Sequence, residues 1–129
     1  MPAVNNDLFR IENITCEAGV ITATLTINKD SEILKGHFPG HPVVPGVCML
    51  QVAKESLESA LQISVRLKKA VNLKFMTMID PANTPTVQLD ITYKFADDGT
   101  ISATARLSNA ETIYFKFQGS FIILRPSAT

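Results

Sequence analysis

The chain has 129 residues, of which 46% are hydrophobic, and its 12 basic residues balance its 12 acidic ones. This length suits one domain, residues 1–129, and the hydrophobic share supports a packed core, which excludes disorder as a description of the whole chain. The zero net charge gives no electrostatic reason to expect nucleic-acid binding or a basic membrane-surface protein.

The two cysteines, Cys16 and Cys48, are too few for a disulfide framework and do not have the spacing of a zinc site. They fit a reducing compartment. The beginning of the chain lacks the basic and apolar segments of a secretory signal, and no apolar run approaches the roughly 20 residues of a membrane span. We therefore expect a soluble, cytoplasmic protein that binds no metal and no cofactor.

The first two predicted elements are strands at residues 8–16 and 20–27. Polar and apolar residues alternate along the second, which gives it one buried face. A loop follows at residues 35–46, with three prolines, three glycines and both histidines of the chain. The prolines remove amide donors and fix backbone angles, so this loop is stiff and is neither strand nor helix.

A helix is predicted from about residue 45 to residue 61, because its beginning is apolar nearly all round and its later apolar residues share one face. The rest of the chain predicts strands, with turns at residues 97–99 and 108–110 that join the last three into a meander. These strands are expected at residues 70–79, 86–95, 100–108 and 112–124. One long helix against a mostly antiparallel sheet is an α+β architecture.

The sequence from residue 36 to residue 50 reads GHFPGHPVVPGVCML. Its His-Phe pair, its Pro-Val about five residues later and its Pro-Gly at the start of a helix closely resemble the motif of the 3-hydroxyacyl-[acyl-carrier-protein] dehydratases of the FabZ and FabA type. The resemblance implies the hot-dog fold, an antiparallel sheet wrapped around one long central helix. It also implies a homodimer, or a larger assembly of dimers, with two active sites at the subunit interface.

The family's reaction removes water from a 3-hydroxyacyl thioester and gives a trans-2-enoyl thioester, in fatty-acid or related polyketide and polyene synthesis. Such a reaction needs one group that removes a proton from C2, another that protonates the departing hydroxyl group, and stabilisation of the charge on the thioester carbonyl. The resemblance makes His37 the proton-transfer residue and the Gly46 amide the donor to the carbonyl. It implies substrate contacts for Gly46 and for Phe38, Val43 and Val47.

Two further residues of this segment, His41 and Cys48, each have a chemical and a structural interpretation. His41 lies four residues after His37, but a metal site would need further ligands, so a structural role is expected. Cys48 lies in the first helical turn, where a thiolate would be stabilised. A small buried hydrophobic residue is the more common role of such a cysteine.

The sequence departs from the family at the second catalytic residue, an acid 14 positions after the histidine, where this chain has Gln51. A carboxamide cannot act as a general acid near neutral pH. One turn later, where the family typically has Gln, this chain has Glu55. Glu55 can replace the missing acid, directly or through one water, or it belongs to an ordinary solvated polar stripe with Gln51, Glu58 and Gln62.

Three functions remain open at this point. The first is a dehydratase with a displaced acid, or one that uses His37 for both proton transfers. The second is a hot-dog thioesterase, in which the helix N-terminus polarises the carbonyl. The third is a non-catalytic acyl-binding subunit that pairs with an active homologue, a role that Gln51 favours and His37 disfavours.

The expected partner is an acyl thioester on acyl carrier protein or coenzyme A. An acyl chain needs an apolar tunnel, which the helix and residues 73–79 can line. A basic cluster formed by Arg66, Lys68 and Lys69 can dock an acidic carrier protein, although a solvated linker is the more common role of such a short cluster.

Overall fold

The computed structural model describes residues 8–31, 34 and 44–126. Of these, residues 125 and 126 are described by their backbone alone. The helix α1 lies against one face of a six-stranded antiparallel sheet whose strands follow the order β1-β2-β4-β5-β6-β3. The elements are β1 (Phe9–Glu17), β2 (Val20–Ile27), α1 (Gly46–Leu61), β3 (Ile63–Phe75), β4 (Thr86–Phe95), β5 (Thr100–Asn109) and β6 (Thr112–Pro126). The α+β architecture is as predicted.

The core lies between α1 and the inner face of the sheet. Along β2 and β5 every second side chain is buried, which is the alternation expected of strands with one covered face. The helix contributes residues at positions three and four apart, the spacing of a single helix face: Met49, Val52, Ala53, Ser56 and Leu57. Among the described residues, no helix is long and apolar enough to cross a membrane.

The end of α1 leads directly into β3. Gln62 adopts a left-handed backbone conformation with φ of 55°, and its amide donates to the carbonyl oxygen of Glu58. The Glu58 carboxylate accepts a hydrogen bond of 2.9 Å from the Val65 amide and lies 3.6 Å from the Lys54 ammonium group. These contacts hold the beginning of β3 against the last turn of the helix.

The strand predicted at residues 70–79 is wrong at both ends, because β3 begins at Ile63 and ends at Phe75. Its first half carries Arg66, Lys68 and Lys69, which are part of the strand and do not form a linker. β3 is an edge strand, and charged side chains, lysine especially, are common on such strands. The register of β3 against β6 shifts at three places. These shifts interrupt the alternation of polar and apolar residues by which a strand is identified in a sequence.

Gly119 lies on β6 between Ala70 of β3 and Ala103 of β5, where the three strands approach closely. A Cβ atom at this position would overlap the carbonyl oxygen of Lys69 and the ring of Phe117. The glycine therefore permits the close contact of the edge strand with its neighbour.

We predict that Gly119→Ala lowers the free energy of unfolding by about 1–3 kcal/mol, because the new methyl group forces the backbone of β3 away. Urea denaturation measures this change. Ser120→Ala, at the adjacent residue of the same strand, is the control and should stay within about 0.5 kcal/mol of the wild type. Equal stability of both variants would show that β3 is not held this closely.

Candidate active site

Four of the predicted site residues lie on α1, namely Gly46, Val47, Gln51 and Glu55. The other three, His37, Phe38 and Val43, lie outside the described residues, as does His41. The structure therefore describes the helix side of the site. The roles of the loop residues stay predictions from the resemblance.

The N-terminus of α1 has no side-chain cap. Pro45, in the capping position, has an extended backbone with φ of −64° and ψ of 141°, and no acidic residue lies in the first turn. The Cys48 amide bonds to the Pro45 carbonyl oxygen at 3.1 Å. Because the first amides of a helix lack intrahelical acceptors, this end offers donors and a positive dipole to a polar ligand.

A cavity of about 620 Å³ adjoins this end of the helix. It is lined by two segments, the first turn of α1 and the chain that leaves β3: Gly46, Val47, Met49, Phe75, Met76, Thr77 and Met78. The predicted tunnel wall at residues 73–79 thus coincides in part with a real cavity. Its apolar side chains suit an acyl chain, whereas the helix amides suit a carbonyl oxygen.

Phe75 fixes the geometry of the cavity, and sequence reasoning did not single it out. Its ring stacks on Phe115 with the ring centroids 5.4 Å apart. A Cβ atom on Gly46 would lie 2.7 Å from the Phe75 ring, so a larger residue there would displace the half-exposed ring. The available signal was the group of large apolar residues Phe75, Met76 and Met78, which follows the last lysine of β3.

The segment after β3 is tied to both of its neighbours. The Met76 amide donates to the Tyr114 carbonyl oxygen at 2.8 Å, which attaches the segment to β6. The Val44 amide donates to the Ile79 carbonyl oxygen at 3.1 Å, which attaches it to the residues just before α1. The two walls of the cavity are therefore held in a fixed relation.

Gln51 and Glu55 are brought together on α1. The Gln51 side-chain amide (Nε2) donates a hydrogen bond of 2.8 Å to Oε2 of Glu55. Glu55 is only 3% exposed, so it does not belong to a solvated stripe. Gln62, in contrast, is exposed at the C-terminal end of the same helix.

Burial raises the pKa of Glu55 above its ordinary value of 4.5, and the charge of Glu58 raises it further. The hydrogen bond from Gln51 and the charge of Lys54 oppose this shift without cancelling it. A carboxyl group whose pKa moves toward neutrality is better suited to give and take protons. The exchange of Gln and Glu thus places a titratable carboxyl group with a raised pKa one helical turn after Gln51.

Cys48 does not have the properties of a nucleophile. Burial raises the pKa of its thiol from 9.0, and the charge of Glu55 adds to the effect. A catalytic cysteine needs the opposite shift, so the raised pKa favours the alternative of a partly buried apolar residue. No group of three or more potential metal ligands occurs in the part of the chain that the structure describes.

The family model for ApeI-like proteins, described as ApeI dehydratase, matches residues 13–117. The chain belongs to the ApeI-like dehydratase family. A curated 3-hydroxyacyl-[acyl-carrier-protein] dehydratase FabZ of Wolbachia pipientis wMel is 30% identical over 89 residues, and the aligned region is 60% of this chain and 60% of that relative. The resemblance inferred from the motif is therefore confirmed at the level of the family.

Solved structures confirm the hot-dog fold. The dehydratase heterocomplex ApeI:P of Xenorhabdus doucetiae contains a chain with a TM-score of 0.71 and 16% identity, and the match covers 88% of this chain and 97% of that one. The structure of a mutant of a Staphylococcus aureus thioesterase matches with a TM-score of 0.65 and 11% identity. The match covers 92% of this chain and 93% of that one. At these identities the likeness concerns the fold and not the reaction.

We predict that Glu55→Gln stabilises the protein at neutral and higher pH. A carboxyl group whose pKa is raised by folding favours the folded state when protonated, and this contribution is lost as pH rises through the folded-state pKa. The melting temperature of the variant should equal that of the wild type below about pH 4.5, and exceed it increasingly at higher pH.

Glu111→Gln, at an exposed turn, is the control and should show no such pH-dependent difference. Calorimetric scans from pH 4 to pH 9 measure both variants. A difference that shrinks as pH rises would contradict the burial of an unfavourable charge at Glu55.

Proposed function

We propose that the chain is a cytoplasmic 3-hydroxyacyl-thioester dehydratase whose acid is Glu55. The observation that carries the proposal is the hydrogen bond of 2.8 Å between the half-buried Gln51 and the buried Glu55, on the helix that begins at the cavity. Membership of a dehydratase family supports the reaction class. The aligned region spans 60% of the length of the Wolbachia relative, and substrate and carrier are therefore part of the proposal.

The proposed reaction needs two proton transfers that balance. His37 removes a proton from C2 of the substrate, and the C3–O bond breaks while the hydroxyl group receives a proton from Glu55 and leaves as water. The Glu55 carboxylate is then reprotonated at the expense of the His37 imidazolium, so that only water is lost overall. During proton abstraction the Gly46 amide stabilises the charge on the thioester oxygen, as a helix N-terminus can.

Gln51 positions this acid. Its Nε2 atom is engaged by Glu55, which leaves its carbonyl oxygen as an acceptor for the departing hydroxyl or for one bridging water. The Glu55 proton can reach the substrate through that water. Phe38, Val43 and Val47 complete the proposed substrate contacts, and the 620 Å³ cavity accepts the acyl chain.

Two other functions have an observation in their favour. The fold is shared with a Staphylococcus aureus thioesterase, and a helix N-terminus at a thioester carbonyl would serve hydrolysis equally well. Gln51 at the family's acid position favours a non-catalytic subunit that pairs with an active homologue. Product analysis separates these functions, since dehydration gives an enoyl thioester and hydrolysis gives a free acid.

We predict that Glu55→Gln lowers kcat for a 3-hydroxyacyl thioester by about two to four orders of magnitude, as does His37→Ala, because each removes a proton-transfer group. Gln51→Glu should give no increase, since two adjacent carboxyl groups perturb each other's pKa. Steady-state kinetics with chromatographic detection of the enoyl product measures all three variants.

Glu111→Gln, at the exposed turn between β5 and β6, is the control and should retain most of the activity. Full activity of Glu55→Gln would overturn the role of Glu55. If His37→Ala still lowered kcat in that case, His37 would be the residue that carries out both proton transfers. Activation of an inactive wild type by Gln51→Glu would favour the non-catalytic function.

The proposed assembly is a dimer formed through the free edge of β3. This edge strand exposes large apolar side chains that a monomer would leave in water, and the cavity opens beside them. They are Leu67, Val71, Leu73 and Phe75. Burying each in an interface would contribute about 1.5–3 kcal/mol before the cost of association.

We predict twice the mass of one chain in light scattering at micromolar concentration. The double variant Val71→Asp, Leu73→Asp should be monomeric and inactive, because it places charges in the interface that completes the site. Val20→Asp, at another exposed apolar position, should remain dimeric. A monomeric wild type would contradict the proposed assembly.

A further inference from the structure

Glu58 lies three residues after Glu55 on α1, and its carboxylate is held from two sides. Its Oε2 atom accepts a hydrogen bond of 2.9 Å from the Val65 amide, near the beginning of β3. The same atom lies 3.6 Å from the Lys54 ammonium group, which is four residues earlier on the helix. Both side chains are largely covered, since only 28% of Lys54 and 17% of Glu58 are exposed. The ion pair is therefore held in a defined place beside Glu55.

Glu55 lies between a neutral donor and this ion pair. Gln51, one turn earlier, donates to Oε2 of Glu55 at 2.8 Å. Glu58 places a second carboxylate on the same side of the helix, because residues three apart are neighbours on a helix surface. Little water screens Glu55, which is 3% exposed. The negative charge of Glu58 therefore disfavours ionisation of Glu55, whereas the cation of Lys54 favours it.

The ion pair is the source of charge near Glu55 in the part of the chain that the structure describes. Four strands pack against α1, namely β1 to β4, but the charges that shift the pKa of Glu55 come from the helix itself. The Cys48 thiol, two turns before Glu55, has a raised pKa and is neutral at physiological pH. His37 lies outside the described residues, so a test of the pair has to observe Glu55 directly.

We propose that Lys54 and Glu58 are opposing positioning residues that determine at which pH Glu55 holds its proton, with Glu58 kept in place by the Val65 amide. This inference rests on the proposed function, in which Glu55 must be protonated in order to donate to the departing hydroxyl group. An acid that ionises too readily is deprotonated before the reaction, and one that holds its proton too tightly donates slowly. The pair provides both influences beside the acid and adds no net charge.

The test uses Lys54→Met and Glu58→Gln, each of which removes one charge and changes the side-chain size little. Gln also keeps a carbonyl oxygen for the Val65 amide. Carboxyl carbon NMR of the whole chain follows the protonation of Glu55, whose signal is assigned by its loss in Glu55→Gln. The titration midpoint should rise in Lys54→Met and fall in Glu58→Gln. In the double variant it should return toward the wild type, because the two effects oppose each other.

The rate of dehydration should follow the same order. At pH 8, where the protonated acid is scarce, kcat should rise about two- to fivefold in Lys54→Met and fall about two- to fivefold in Glu58→Gln, the size that a partly exposed charge supports. Higher salt should narrow both differences. Lys54→Arg keeps the cation and should restore the wild-type midpoint. A merely structural role would not move the midpoint in opposite directions.

Unchanged midpoints in both single variants, or shifts of the same sign, would overturn the inference. The NMR titration needs no turnover, so it separates this inference from the proposed reaction. If the midpoints move in opposite directions while Glu55→Gln keeps full activity, the catalytic role of Glu55 is wrong and the effect of the ion pair stands. If Glu55→Gln is inactive but neither midpoint moves, the reaction stands and the role of the ion pair is wrong.

Discussion

The packing of α1 on the inner face of the sheet is the constraint on which the candidate site depends. Each aliphatic side chain that the helix buries, such as Val52 or Leu57, contributes about 1.5–3 kcal/mol. The same contacts set where the helix begins, and the Gly46–Phe75 approach locks that end against β3. The position of the first amides relative to the cavity therefore follows from this hydrophobic packing together with the backbone hydrogen bond between Val44 and Ile79.

This packing determines how deeply each member of the exchanged Gln51–Glu55 pair on α1 is buried. At position 51 a side chain is half-buried near the helix start, whereas position 55 is almost fully enclosed. Moving the carboxyl group to the enclosed position raises its pKa through desolvation, and the amide of Gln51 satisfies its oxygen. The chain thus keeps an ionisable group on the helix that begins at the cavity, while the partially exposed position 51 is neutral.

The sequence predicted most of the fold because its patterns are strong where one face is covered. The alternation along β2 and the meander of β4 to β6 gave nearly correct boundaries. The charged half of β3 was missed because an exposed edge obeys no burial pattern, and the shifts in register hide the period. The burial of Glu55 and the raised pKa of Cys48 depend on contacts between distant segments, which a helical pattern of polar residues cannot reveal.

The absence of a side-chain cap at Pro45 lowers the stability of the helix but leaves its first amides free for a ligand. Replacing a poor capping residue by Ser or Asp typically stabilises a helix by about 0.5–2 kcal/mol, so selection for heat resistance alone would favour such a change here. The new oxygen would occupy the amide donors that the cavity presents to a ligand, and an acidic cap would repel a developing oxyanion. A variant with such a cap would keep this fold but lose free amide donors at the polar end of the cavity, so its thermal stability would rise while its ligand binding falls.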